Sequence, residues 1–412
     1  MGLPEENVAL LGELARALHQ AALPADAVEE RLVAVARRFG IEGEFFTLQS
    51  FLAMELRAGG ATCVSVGRMS FDTHWNLTRM TALLALSDEL ASGRLGAAEG
   101  RRELQAIAAR PSRYPSALIV AAYGLYGLAV AARVGGGALE VLVGAVVGLV
   151  AGAIHYGTLH SNTLDLQKSF LAAMAGTISA FLLALLLPAF DQPRAIFGGI
   201  TLLVPAMVVT IGVHEVASEA IESGVARLAY GLLRFAMMAA GIDAAMKIVS
   251  SIATWPASLA ATPLPPLIAL ALVAAGGVAL IFCLQGPPRD AVAIVAAALL
   301  GYGTQELTKR LLGDEGAPML SAFVLGAVAY LHARVTGRST PVMIVPGLLQ
   351  LAPGFLGTRV ILRLLRPHDS AGGAADGFLQ VFVIAVQLGL GLLIADLLFR
   401  QRHKEAVAAK RM

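Results

Sequence analysis

The sequence predicts a mainly α-helical membrane protein: about ten transmembrane helices in two inverted five-helix repeats, preceded by a small α+β domain. Three observations carry this prediction. Hydrophobic residues make up 57% of the 412 and charged residues only 15%, against about 45–50% and about 25% in a soluble domain. The charges crowd at the start: residues 1–115 hold 12 Arg and 14 Asp or Glu, 26 of the chain's 60 charges, whereas residues 116–399 hold 14 basic and 14 acidic side chains. From residue 116 onward, apolar stretches near the roughly 20 residues that cross a bilayer as a helix follow one another. The expected division is an α+β domain at 1–112, membrane modules at 113–256 and 257–400, and a basic tail at 401–412.

Composition also excludes some classes. A net charge of +2 offers no footprint for nucleic acid. Cys63 and Cys283 stand far apart, so neither a disulfide framework nor a CxxC site is expected. Glu5 and Glu6 stand where a secretory signal would carry basic residues. No cofactor or metal is expected, the lipid bilayer is the evident partner, and a homo-oligomer is compatible with the sequence.

In the N-terminal region, Val8, Leu11, Leu14, Leu18 and Ala22 repeat at helical spacing. Pro24 suits the first turn of a second helix, whose apolar face is Val28, Leu32, Val35 and Phe39 and whose stop is Gly40. Residues 45–56 and 62–69 read as two strands around the turn Arg57-Ala58-Gly59-Gly60. Helices follow at about 75–92 and 97–110, the second ending before Pro111. The region shows neither a Gly-rich phosphate loop nor a nucleophile elbow. His74-Trp75 reads as a helix boundary rather than a site. A membrane-anchored enzyme is therefore the weaker alternative to a transporter.

The expected spans are 116–133, 138–156, 170–190, 195–213, 225–250, 266–285, 290–305, 318–334, 340–355 and 377–399. The stretch at 290–305 is short, and 340–355 is interrupted by Pro346 and Pro353. The Pro-rich connector TWPASLAATPLPP separates the halves. Val204-Pro205 matches Val345-Pro346, and a constant offset pairs Gly224 with Gly377, Arg227 with Gln380, Arg234 with Gln387 and Asp243 with Asp396. Glu215, Glu219 and Glu222 match Arg359, Arg363 and Arg366. Five spans per half, an odd number, turn the second half over. Secondary transporters are commonly built this way, with binding sites at Gly/Pro-broken helices in corresponding positions. That points to Pro205 in the fourth span and to Pro346 and Pro353 in the ninth, and it favours alternating access over a passive channel.

Charges inside a span are costly and mark function by default. Arg227, Arg234, Asp243 and Lys247 share the fifth span. Arg234 is deepest and offers a guanidinium that could hold a carboxylate bidentately. Asp243 and Lys247, four residues apart, could instead form a simple pair. His155, His160, His214 and His332 fall at span ends and read as interfacial. Arg110 and Arg113 before the first span, and the basic tail after the last, place both termini in the cytoplasm of a multi-pass protein.

These residues resemble the threonine/serine exporter family of bacterial and fungal membrane proteins over nearly the whole length. The likeness rests on VEERLVAVARRFGI and AIAARPSRYP in the N-terminal domain, LVPAMVVTIGVHEVASEAIESGVARL followed by AAGID in the first half, and MIVPGLLQLAPG in the second. The resemblance implies a fused soluble domain and two five-helix modules in the bacterial cytoplasmic membrane, exporting small hydroxy amino acids and coupled to protons. In the family's fourth span Pro is followed by Gly, then Thr-Asn, then a basic-acidic pair. Here Ala206 follows Pro205, Thr210 is kept, Ile211 replaces Asn, and His214-Glu215 forms the pair. The lost amide opens small dicarboxylates such as succinate as the alternative substrate. The expected substrate or proton pathway comprises Asp243, Arg234, Arg227, Thr210, Glu215, Pro205, Pro346, Pro353, Gln387 and Asp396, with Asp243 the first candidate for the proton and Glu215 and Asp396 behind it.

Overall fold

The computed structural model describes residues 4–69, 75–158, 165–351 and 372–409. The chain divides into two compact units: residues 1–113 with 211–229, and residues 114–210 with 230–412.

The first unit opens with α1 (Glu5–Gln20) and α2 (Ala25–Arg38). Leu10, Leu11, Leu14 and Leu18 of α1 and Val28, Leu32 and Val35 of α2 are fully buried, as their helical spacing requires. α2 stops at Gly40, whose φ of +69° is cheap only for glycine. The stretch 45–56, expected as one strand, folds back at Leu48–Ser50. It gives β1 (Glu42–Thr47) and β2 (Phe51–Ala58), ahead of β3 (Ala61–Arg68). The Leu48 amide donates to the Phe51 carbonyl at 2.8 Å, closing a turn at the polar Gln49-Ser50 pair. The three strands form an antiparallel sheet in the order β1-β2-β3. Leu52, Met54 and Leu56 of β2 point inward with period two. α3 (Leu77–Ala91) starts at Asn76, whose side chain accepts from the Arg79 amide at 2.8 Å. α4 (Ala97–Ala109) ends one residue short of the one before Pro111. His74 lies outside the described residues.

The second unit is helical. α5 (Ser116–Arg133), α6 (Ala138–Gly157) and α7 (Asp165–Ala184) are each long and apolar enough to cross a membrane. α8 (Gln192–Ile200) and α9 (Ala206–Ala217) form one bent pair, and α10 runs over Ile221–Ile252. α9 gives Ile211–Ala217, and α10 gives Ile221–Ala229, to the first unit. α11 (Pro266–Cys283) follows the Pro-rich connector. α12 (Ala291–Thr336) breaks at Gly313, at φ +70° and ψ −177°, into two spanning arms, Pro288–Gly313 and Gly316–Thr336. The first arm outruns the expected 290–305 because its polar residues turn inward: Thr308 and Ser321 share a buried hydroxyl–hydroxyl hydrogen bond of 2.7 Å. α13 covers Pro341–Leu351, and α14 covers Gly372–Ala409.

Among the described residues seven helices qualify as spans, eight with the bent pair, so the count of ten is not reached. α10 carries Arg227, Arg234, Asp243 and Lys247, and α13 is too short. Glycines set the helix spacing, as is common where lipid gives helices no hydrophobic reason to associate. A Cβ at Gly198 of α8 would sit 2.9 Å from the Gly127 carbonyl oxygen of α5. Leu142, Leu186, Leu267 and Val292 lie exposed on the surface, as lipid-facing side chains do.

Candidate functional site

The fourth span is broken where Pro205 predicts. α8 tightens into a 3₁₀ turn at Thr201–Leu203, Val204 is extended as a residue before proline must be, and α9 departs at 53°. Pro205 has no N–H for the Thr201 carbonyl, which accepts from the Val204 amide at 3.0 Å instead. Thr210, one turn into α9, is buried, and among the described residues its hydroxyl has no partner.

Arg234 of α10 is buried beside α7. Its Nε donates to Ser169 Oγ at 3.2 Å, and its guanidinium lies 5.9 Å from the Tyr230 ring centroid. Lys168, adjacent to Ser169, is buried too. Asp243 is not brought to this place. It pairs with Lys247 at 2.8 Å, the two side chains being 62% and 75% exposed. This is the simple i, i+4 arrangement.

Arg227 lies in the first unit, with Glu215. Glu215 Oε2 accepts from Arg227 Nε, and Oε1 from Arg227 Nη2, both at 2.9 Å. Oε1 also accepts from the Ala25 amide at 2.9 Å, so the carboxylate caps the N-terminus of α2, where the helix end favours negative charge. Arg227 also donates to the Leu23 carbonyl at 3.4 Å. A guanidinium has only donors, so the Gln49 amide must turn its oxygen inward. It then accepts from Arg227 Nη2 at 3.1 Å and from Ser223 Oγ at 2.9 Å. His19 Nε2 lies 3.1 Å from the Gln49 carbonyl oxygen. Burial, reinforced by the Arg227 charge, lowers the His19 pKa to about 4. His214 Nε2 stands 3.8 Å from Asp26 in the first turn of α2.

In the second half, Pro346 sits within the helical backbone of α13, without the break seen at Pro205. Pro353, the triplet Arg359, Arg363 and Arg366, and His160 lie outside the described residues. At the end of α13 the Tyr126 hydroxyl donates to the Leu349 carbonyl at 2.8 Å. Asp396 of α14 accepts a close hydrogen bond from Tyr330, and Gln387 is half-buried on the same helix.

One cluster escaped the sequence reading. Arg133, the last residue of α5, donates from Nη1 to Gln350 Oε1 at 2.9 Å and from Nη2 to Gln305 Oε1. Tyr302 lies 5.8 Å from its guanidinium. Gln350 stands inside the quoted stretch MIVPGLLQLAPG, and that was the available signal; nothing local marks Arg133 as its partner.

With this geometry in hand, known proteins provide the family. A model described as a putative threonine/serine exporter matches residues 9–249, and one described as threonine/serine exporter, ThrE, matches residues 267–398. An uncharacterized protein of Schizosaccharomyces pombe is 22% identical over 297 residues, 68% of this chain and 35% of the relative. Pheromone-regulated membrane protein 10 of Saccharomyces cerevisiae is 21% identical over 240 residues, 56% of this chain and 30% of the relative. The chain therefore spans about a third of the length of the curated relatives it matches. No solved structure matches. Both family matches together run from the first amphipathic helix to the last apolar one, and the chain is a multi-pass membrane protein that belongs to the threonine/serine exporter family.

Proposed function

We propose that the chain is a secondary exporter of small amino acids of the threonine/serine kind, working in the bacterial cytoplasmic membrane and driven by the proton gradient. The observation that carries this reading is the broken α8–α9 span with, inside it, a buried Thr210 hydroxyl that has no partner among the described residues. Irregular backbone and unsatisfied polar groups survive at membrane depth only against protein or a water-filled cavity. Family membership supports the same reading.

Orientation has support from parity. Counting the bent pair as one crossing, four crossings separate Arg113 from Ile221–Ala229, and the last turns of the fourth, Ile211–Ala217, already belong to the first unit. Four crossings return the chain to the side it left, as they must for that segment to fold with residues 1–113. The basic residues Arg110 and Arg113 make that side cytoplasmic. We assign the proton to Asp396, which is half-buried in the spanning unit and held by the neutral hydroxyl of Tyr330. Asp243 already neutralises Lys247 at the surface.

Small dicarboxylates are the second reading, favoured by two guanidiniums in the spanning unit, Arg133 and Arg234, with no ion-pairing carboxylate among the described residues. Purified protein in liposomes loaded with labelled threonine, serine or succinate separates the readings. Efflux of threonine or serine that accelerates with an inward proton gradient is the expected result. Gradient-independent efflux removes the coupling, and efflux of succinate alone replaces the substrate.

A further inference from the structure

Three polar side chains from three helices meet in the second unit: Arg133 ends α5, Gln305 lies on the first arm of α12, and Gln350 is the penultimate residue of α13. We infer that Arg133, Gln305 and Gln350 form a seat for the carboxylate of the transported molecule, an inference that rests on the export reading.

The donor balance points to an anion. A guanidinium carries five N–H donors. Two amide oxygens take one hydrogen from each terminal nitrogen, and among the described residues Nε, buried, has no partner. Gln350, 1% exposed, spends its oxygen on Arg133, and its buried Nε2 has no partner either. The two atoms left unsatisfied are both donors, on side chains hydrogen-bonded to each other. Leaving a buried donor unmade costs about 1–3 kcal/mol, and no acceptor among the described residues answers it. A carboxylate is acceptor-only, with two oxygens, and suits the remaining edge of a guanidinium.

The charge balance agrees. No carboxylate forms an ion pair with Arg133 among the described residues; its bonded partners are neutral amides, with the Tyr302 ring beside it. The Glu306 carboxylate is near enough to act on this cation but forms no ion pair with it, and an arriving carboxylate supplies the direct counterion.

The seat is also held in place. Tyr126 fixes the end of α13 through the Leu349 carbonyl, one residue from Gln350. A Cβ at Gly301 would lie 2.6 Å from the Gly347 carbonyl oxygen and 3.3 Å from Gln350 Cβ, so α12 and α13 touch through backbone here. Gln305 and Gln350 are thus positioned before any ligand arrives, which lowers the cost of binding.

The test is Gln350→Glu in the full chain. It places a carboxylate within reach of Arg133, so the variant keeps a partner for the cation and fills the seat. In liposomes, KM for the exported substrate is expected to rise about tenfold or more, the worth of a charge-assisted hydrogen bond. Threonine and succinate run in parallel identify which molecule brings the carboxylate. Threoninol, the same skeleton without a carboxylate, is expected to compete weakly and equally against both proteins. Unchanged KM in Gln350→Glu and in Arg133→Gln overturns the proposal. A second measurement stands apart from transport. Acetate at fixed ionic strength is expected to raise the melting temperature of the detergent-solubilised wild type but not of Gln350→Glu. Equal stabilisation by chloride, or none by acetate, overturns the carboxylate seat. If the wild type exports none of the three substrates, the export reading fails and the melting experiment decides the seat by itself.

Discussion

Replacing Glu215 by Gln tests the network that joins α2 to the α9–α10 turn in the first unit. The Glu215 and Arg227 side chains are 0% and 1% exposed. The carboxylate accepts three hydrogen bonds, all at 2.9 Å, from Arg227 Nε, Arg227 Nη2 and the Ala25 amide. Glu215→Gln keeps the shape but removes the charge, leaving Arg227 a buried cation with the Leu23 carbonyl and Gln49. Breaking one side of a buried pair costs about 3–5 kcal/mol. For a unit of this size that lowers the melting temperature by roughly 10 °C or more. Thermal melting of the full chain in detergent, followed by tryptic cleavage within residues 1–113, reads the loss. The double change Glu215→Leu with Arg227→Met removes both charges. It is expected to recover most of the stability, short by about 1–3 kcal/mol for the orphaned Ala25 amide. A single Glu215→Gln variant within about 1 kcal/mol of wild type, or a double-mutant cycle with no coupling between the two sites, would refute the reasoning.

The remaining predictions concern pH, proton coupling and topology. His19 has its pKa lowered from 6.5 to about 4 in the fold, so the unfolded chain takes up a proton that the folded one refuses. Stability is therefore complete above pH 6.5 and declines by up to about 3 kcal/mol as pH falls toward 4. Melting temperatures across that range should lose this slope in His19→Gln. In liposomes, Asp396→Asn is expected to lose gradient-driven export while retaining substrate exchange, and Asp243→Asn to export as wild type does; the reverse pattern returns the proton to Asp243. Single cysteines at Ser218 and Ala371 should react with an impermeant thiol reagent from opposite faces of the membrane, and reaction from one face removes the inverted repeat.

Local signals in the chain were legible because each belongs to one element. Gly40 and Pro111 end helices by their own backbone chemistry, and Pro205 breaks the expected fourth span for the same reason. The strand expected over 45–56 failed because a β-turn at Leu48–Ser50 leaves the apolar character on either side almost unchanged. Arg227 reads as an intramembrane charge because its neighbours Leu228, Ala229 and Leu232 are apolar, and those neighbours say nothing of its contacts with Glu215, the carboxylate that caps α2, or with Gln49. Arg133 and Gln350 lie in different halves of the chain, and periodicity within one helix carries no information about a partner on another. Asp243 could be read either way from its spacing to Lys247, and only its exposure separates a surface pair from a buried carrier.

The first unit is assembled from two stretches of chain, residues 1–113 and 211–229, and three helices long and apolar enough to cross a membrane, with the first part of the bent pair, lie between them. During synthesis, residues 1–113 emerge before Glu215 exists, so the N-terminus of α2 and the core around His19 lack their carboxylate and guanidinium until residues 215 and 227 are made. Under the proposed topology, completion of the domain acts as a check on insertion: a missed or extra crossing in the first half delivers residues 221–229 to the wrong side and leaves the N-terminal unit unfinished. For the same reason, a fragment cut at residue 113 lacks part of its own interior.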